Sequence, residues 1–197
     1  MSFIIYSLPR SRTAWVAHYL SYPLARPLLP VEHNQAALLG SVDAFISMYK
    51  DNKIFGAVEI NAVPAWRIIR KELPDLKTVL IRRPLLEVMR SFAMADRTDG
   101  NISDLAAMDA MLDLIATQPG VMSVEYRALE TPVMCKWLFE HCLEIEADFD
   151  WYINVAQLHI QINREEELAL RPKMQSKLDA FRADVLERMK GIETCLH

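Results

Sequence analysis

The chain has 197 residues, 52% of them hydrophobic and 24% charged, which excludes a disordered chain and suits one packed domain over residues 1–197. No run approaches the roughly 18 apolar residues of a membrane span, and three cysteines (Cys135, Cys142, Cys195) make a disulfide framework a poor reading and a reducing, cytoplasmic setting the better one. The net charge of −4 divides unevenly: residues 1–97 hold 13 Lys and Arg against 8 Asp and Glu, and residues 98–197 hold 9 against 18. Phe3 to Ser7 (FIIYS) is β-prone, LPRSRT follows as a loop, and AWVAHYL has helical spacing. Pro23, Pro27 and Pro30 punctuate a loop. Asn34 is placed to cap a helix reaching Lys50, with Ala37, Leu38, Val42, Phe45, Ile46 and Tyr49 on one face.

Ile54 to Ile60 reads as a second strand, Pro64 to Leu73 as a helix, and Lys77 to Ile81 as a third strand buried on both faces. Pro84 sits where a first helical turn accepts proline and opens a helix to Ala95. Residues 98–101 form a loop, and Ser103 caps a helix ending near Thr117. Val121 to Glu125 is a fourth strand, and Thr131-Pro132 starts a helix through Cys142. Glu144 to Asp150 is acidic and exposed, and Trp151 to Ile162 is ambiguous between strand and helix. Asn163 with Glu165, Glu166 and Glu167 is a helix start, Pro172 interrupts, and Met174 to Lys190 is amphipathic. Its stripe of Met174, Leu178, Phe181, Val185 and Met189 suits either core packing or a homodimer contact.

Alternating strands and helices imply an α/β three-layer sandwich, with a central parallel sheet of about four to five strands covered by helices. In such sheets ligands bind beyond the carboxyl ends of the strands. That directs attention to Leu8–Thr13, Glu59–Asn61, Arg82–Pro84 and Tyr126-Arg127. The segment after the first strand, Ser7-Leu8-Pro9-Arg10-Ser11-Arg12-Thr13-Ala14-Trp15, is the densest in donors. A strand-to-helix loop presents unpaired N–H groups to an anion, and two arginines and two hydroxyls stand in the same place. A capped helix with two solvated arginines is the bland alternative. The basic half suits a small polyanion; a pI near 5.8 does not suit nucleic acid. The acidic half also reads as solvated helical faces. No glycine precedes Gly40, so neither G-x-x-x-x-G-K-[ST] nor G-x-G-x-x-G occurs here. The start, MSFIIYSLPRSR, has no basic residue before its apolar run and does not read as a signal peptide.

PRSRTAW resembles the 5′-phosphosulfate loop of the sulfotransferases, P-[KR]-S-[GR]-[ST]-x-[WL], which transfer a sulfuryl group from PAPS (3′-phosphoadenosine 5′-phosphosulfate) to an alcohol or amine. VLIRRPLLEVMRSF is similar to the family's 3′-phosphate signature, an arginine closing a strand with a serine eight residues on: Arg83 and Ser91, with Arg82 as the alternative register. VEYRALETP, with Tyr126, is similar to the family's Y-E-D-L segment, Arg127 standing in place of the acid. The resemblance implies a P-loop-like sulfotransferase fold and a nucleotide site built from Pro9, Arg10, Ser11, Arg12, Thr13, Ala14 and Trp15 with Arg83 (or Arg82), Ser91 and Tyr126. Arg10 would be a fixed charge against the bridging oxygen, since arginine stays protonated. Trp15 would stack on adenine, or pack in the core. A general base is expected near the sulfate: Glu59, unless it caps a helix or forms an ion pair, and second His33. His18, within the first helix, reads as packed or solvated; His141, Cys142 and Cys135 lie on one helix without ligand spacing, so no metal site is expected.

The family's C-terminal R-K-G-x-x-x-D-W segment is absent; Arg171-Pro172-Lys173 is the nearest basic cluster and has no glycine. The acceptor part reduces to the helices at 34–50 and 101–118. Three functions follow as expectations: sulfuryl transfer to a hydroxyl or amine of a small-molecule or glycan acceptor, with no membrane or nucleic-acid partner; a binding protein that keeps the nucleotide pocket without catalysis; or a nucleotide kinase-like phosphotransferase.

Overall fold

The computed structural model describes residues 2–23, 30–94, 101–158, 160 and 164–194. Pro27, residues 98–100, Asn163 and Cys195, each a signal in the sequence, lie outside them. Five strands, β1 (Phe3–Ser7), β2 (Val31–His33), β3 (Gly56–Glu59), β4 (Lys77–Arg82) and β5 (Met122–Glu125), form one sheet. All its pairings are parallel, in the order β2-β3-β1-β4-β5. Tyr6 on the central strand stands opposite Glu59 on one side and Leu80 on the other.

Apolar side chains leave both faces of the sheet, as a buried parallel sheet requires. Ile4, Tyr6, Ala57 and Leu80 face a core with Phe45, Trp66, Leu112 and Phe181. Phe3, Ile5, Val58, Val79 and Ile81 face a second core with Val16, Tyr19, Leu138 and Phe139. The result is a three-layer α/β sandwich. On the Tyr6 side lie α2 (Gln35–Leu39), α3 (Val42–Lys50), α4 (Trp66–Glu72), α5 (Leu85–Met94), α6 (Ile102–Ala116) and α9 (Arg164–Thr194). On the Phe3 side lie α1 (Thr13–Leu20), α7 (Pro132–Leu143) and α8 (Phe149–Ala156).

Several elements differ from the sequence reading. β2 is a fifth strand, too short at three residues to show a periodicity. The helix expected from Asn34 to Lys50 is two helices, broken at Gly40 (φ 72°) and restarted by the Ser41 hydroxyl, which accepts from the Ala44 N–H at 3.4 Å. A Cβ on Gly40 would stand 2.9 Å from Lys177 Cδ and 3.2 Å from its carbonyl oxygen, so α9 also requires the glycine. Asn34 is left-handed (φ 54°) and does not cap α2. The α6 cap is Asn101, whose Oδ1 accepts from the Ser103 N–H at 3.1 Å. The ambiguous stretch from Trp151 is helical as far as Ala156, in a helix that starts at Phe149. α9 continues through Pro172. The loss of one backbone bond there, about 3 kcal/mol, does not end a helix anchored by buried Phe181 and Val185. Of the α9 stripe, Phe181 and Val185 are core and Met189 packs against it, while Met174 and Leu178 are half-buried. No helix among the described residues is long and apolar enough to cross a membrane.

The topology positions a crevice. The chain leaves β1 towards α1 on one face, and leaves the adjacent β4 towards α5 on the other. Neighbouring strands whose connections diverge to opposite faces open a cleft at their carboxyl ends, where α/β proteins bind ligands.

Candidate functional site

The β1–α1 loop is backbone-strained. Arg10 (φ 64°) and Arg12 (φ 58°) are both left-handed, a conformation that costs a non-glycine residue roughly 1–2 kcal/mol. Arg12 is the residue before α1, and no side chain caps that helix. Its first-turn N–H groups therefore lack the usual side-chain acceptor and face the cleft with the positive end of the dipole. Ser11 is fully buried and its Oγ has no hydrogen-bond partner among the described residues. A buried hydroxyl without a partner is uncommon and asks for an acceptor.

The β4–α5 connection meets this loop. Arg83 Nη1 donates to the Arg10 carbonyl oxygen, and the Arg83 guanidinium lies 4.3 Å from the centre of the Tyr126 ring. Its Nε is buried without a hydrogen-bond acceptor. Arg10 Nε in turn donates to the Ser91 hydroxyl at 3.2 Å. Arg12 lies 5.7 Å from the same Tyr126 ring and pairs with Glu130 at 3.4 Å. Arg10, Ser11, Arg12, Arg83, Ser91 and Tyr126 thus converge, with Pro9 and Ala14 on the loop and first turn between them. Arg82 does not join them: it pairs with Asp109 at 3.1 Å and Asp113 at 2.6 Å on α6. Of the two registers, Arg83 is the one that reaches the loop.

His33, at the end of β2, stands beside α1. Its Nε2 is 2.9 Å from Thr13 Oγ1 and 3.2 Å from Asn34 Nδ2. Asn34 Oδ1 accepts from the Ile60 N–H at 3.1 Å, which turns the amide nitrogen towards His33. With that amide assigned so, Nε2 is the acceptor and the Thr13 hydroxyl donates to it. Burial holds the imidazole neutral, lowering its pKa to about 4.

Glu59 lies on the other face, since it alternates with Val58, which stands opposite His33. It is fully buried, and its Oε1 accepts from the Gln35 N–H at 2.5 Å and the Ala36 N–H at 3.4 Å. Its Oε2 has no partner among the described residues. Burial pushes its pKa up to about 8, against the two backbone donors. Glu59 is thus the cap of α2, and its hydrogen bonds go to that helix rather than to the arginine loop. Trp15 is engaged in packing: its indole N–H donates to the Val155 carbonyl at 3.1 Å, and its ring stacks on Tyr19 at 5.1 Å.

Sequence reasoning missed three members of the cluster. Glu87, one helical turn after Arg83, lies 3.8 Å from Arg83 Nε and 2.7 Å from Arg127 Nη2. Glu130 pairs with Arg12. Asn34 orients His33. Only Glu87 had a signal, its i+4 spacing from Arg83. No family model matches this chain, and no curated protein matches its sequence.

Proposed function

We propose that the protein is a PAPS-dependent sulfotransferase, with the nucleotide held at the carboxyl ends of β1 and β4. One observation carries the reading: Arg83 and Ser91, the pair expected to hold a 3′-phosphate, both bond to Arg10 in the loop expected to hold the 5′-phosphosulfate. The donor set fits a doubly phosphorylated nucleotide. Three guanidinium groups, the uncapped start of α1 and two buried donors without acceptors (Ser11 Oγ and Arg83 Nε) stand together. Phosphate oxygens satisfy such donors with charge-assisted bonds.

In this reading Ser11, Arg12 and the first turn of α1 hold the 5′-phosphate, and Arg83 and Ser91 hold the 3′-phosphate. Bound PAPS supplies the sulfuryl group. Arg10 contributes a fixed positive charge against the leaving phosphate. His33, neutral at physiological pH, holds the Thr13 hydroxyl in place and is the base candidate on the loop side of the sheet. The acceptor is a small molecule or glycan with a hydroxyl or amine, and the setting is cytoplasmic.

A second reading is favoured by Glu59: with its carboxylate committed to α2, the chain binds the nucleotide without transferring from it. Calorimetric titration with 3′-phosphoadenosine 5′-phosphate (PAP) against ADP tests the common part. The expected result is PAP binding well above ADP, with the difference erased in Arg83→Ala. Equal binding of PAP and ADP removes the cofactor assignment and both readings. Transfer to any member of an acceptor panel removes the second reading alone.

A further inference from the structure

The arginine cluster carries its own counter-anion. Glu87 reaches two guanidinium groups at once: Arg127 at 2.7 Å and Arg83 at 3.8 Å. The three residues come from two elements, α5 with its lead-in and the turn after β5 (Tyr126–Glu130). The Tyr126 ring, one residue before Arg127, supports the Arg83 guanidinium at 4.3 Å. The Arg83 and Glu87 side chains are 15% and 24% exposed, whereas Arg127 is 76% exposed. The inner arginine is therefore shielded, and the exposed Arg127 is tied to the cluster by the carboxylate. Arg83 Nε, although close to Glu87, lacks a hydrogen bond. The pair at 3.8 Å leaves that donor available to a better placed acceptor.

We propose that Glu87 is a built-in competitor for the ligand's phosphate, which on binding displaces the carboxylate from Arg83 and recruits Arg127 as a further phosphate ligand. The proposal rests on the nucleotide reading above. The physical basis is mass action. A site whose cation is partly occupied by an internal anion binds an external one with an apparent affinity reduced by that occupancy. A doubly charged phosphate has more acceptor oxygens than a carboxylate and satisfies two guanidinium groups together. An ADP molecule lacks the 3′-phosphate and gains nothing from Glu87 leaving. The internal anion thus lowers the affinity for PAP, leaves that for ADP unchanged, and so narrows the difference between the two nucleotides.

The experiment is a calorimetric titration of the full chain with PAP and with ADP, for wild type, Glu87→Gln and Arg127→Ala. Glu87→Gln is expected to bind PAP about two- to fivefold more tightly, the range of a partly exposed ion pair, and Arg127→Ala about two- to fivefold more weakly, with ADP little changed in either. If wild type prefers PAP and Glu87→Gln does not tighten it, the competitor role is overturned while the nucleotide reading stands. If Arg127→Ala binds PAP as wild type does, the recruitment of Arg127 is overturned. If no variant prefers PAP to ADP, both the proposal and the reading fall. Far-UV circular dichroism checks folding, and Glu87→Asp, with a carboxylate one methylene shorter, is the fallback. It is expected to tighten PAP to a smaller degree, and no tightening overturns the role.

Discussion

Arg10 and Ser91, 81 residues apart in the chain, are joined by a 3.2 Å hydrogen bond from Nε to the hydroxyl. The bond spans the point where the β1 and β4 connections part to opposite faces of the sheet. It holds the loop that opens α1 to the helix that follows β4. With the Arg83 bond to the Arg10 carbonyl it gives the cleft two independent ties.

Arg10→Ala tests the charge that this arrangement sets at the loop. Arg10 is exposed, so the far-UV spectrum is expected to stay that of the wild type. Sulfuryl transfer from PAPS is expected to fall by about 100-fold or more, the loss that follows removal of one preorganised donor to developing charge. Arg10→Lys restores the charge without the fork and is expected to recover part of the rate. Transfer by Arg10→Ala at the wild-type rate removes the role assigned to this residue.

Glu59 makes a second prediction, about stability. Its folded-state pKa, raised to about 8 by burial, stands above the ordinary 4.5. Between those values the folded chain binds more protons than the unfolded one. The contribution of Glu59 is therefore full below pH 4.5, is lost as pH rises towards 8, and changes little beyond. His33 slopes the opposite way: its pKa is lowered, so its contribution is present above pH 6.5 and lost towards pH 4. Glu59→Gln isolates the first effect, because both proteins keep His33. Denaturant unfolding at pH 5, 6.5 and 8 is expected to show the variant gaining on wild type with rising pH, by on the order of a few kcal/mol across the window. Parallel curves would mean that the carboxylate titrates normally.

Much of the sheet was legible because β1 and β4 are buried on both faces and read as continuous apolar runs. The spacing of Arg83 and Ser91 was legible because one strand end and one helix fix both. β2 was not, since Val31–His33 takes its place only by pairing with β3. That Glu59 caps a helix was one of the sequence readings, but which helix was not legible, because Glu59 reaches α2 from another strand while the local candidate, Asn34, turns to Ile60 and His33. Glu87 and Arg127 meet through the placement of the turn after β5 against α5, which no local pattern encodes.

Trp15 makes the third prediction, because two roles for it give opposite results. Its N–H bond to Val155 and its stack on Tyr19 tie α1 to α8. Trp15→Leu removes both, while the Val155 carbonyl keeps the Leu158 N–H at 3.1 Å. The expected cost is about 2–4 kcal/mol of stability, combining lost packing with one lost hydrogen bond. PAP affinity of the folded variant is expected to stay at the wild-type value, measured at low temperature where the variant is fully folded. If the ring instead stacks on adenine, PAP and ADP affinities both fall by about fivefold or more, as lost base–aromatic stacking requires. Stability then changes far less. Denaturant unfolding and calorimetry on the same preparation separate the two, since a packing residue moves the first measurement and a stacking residue moves the second.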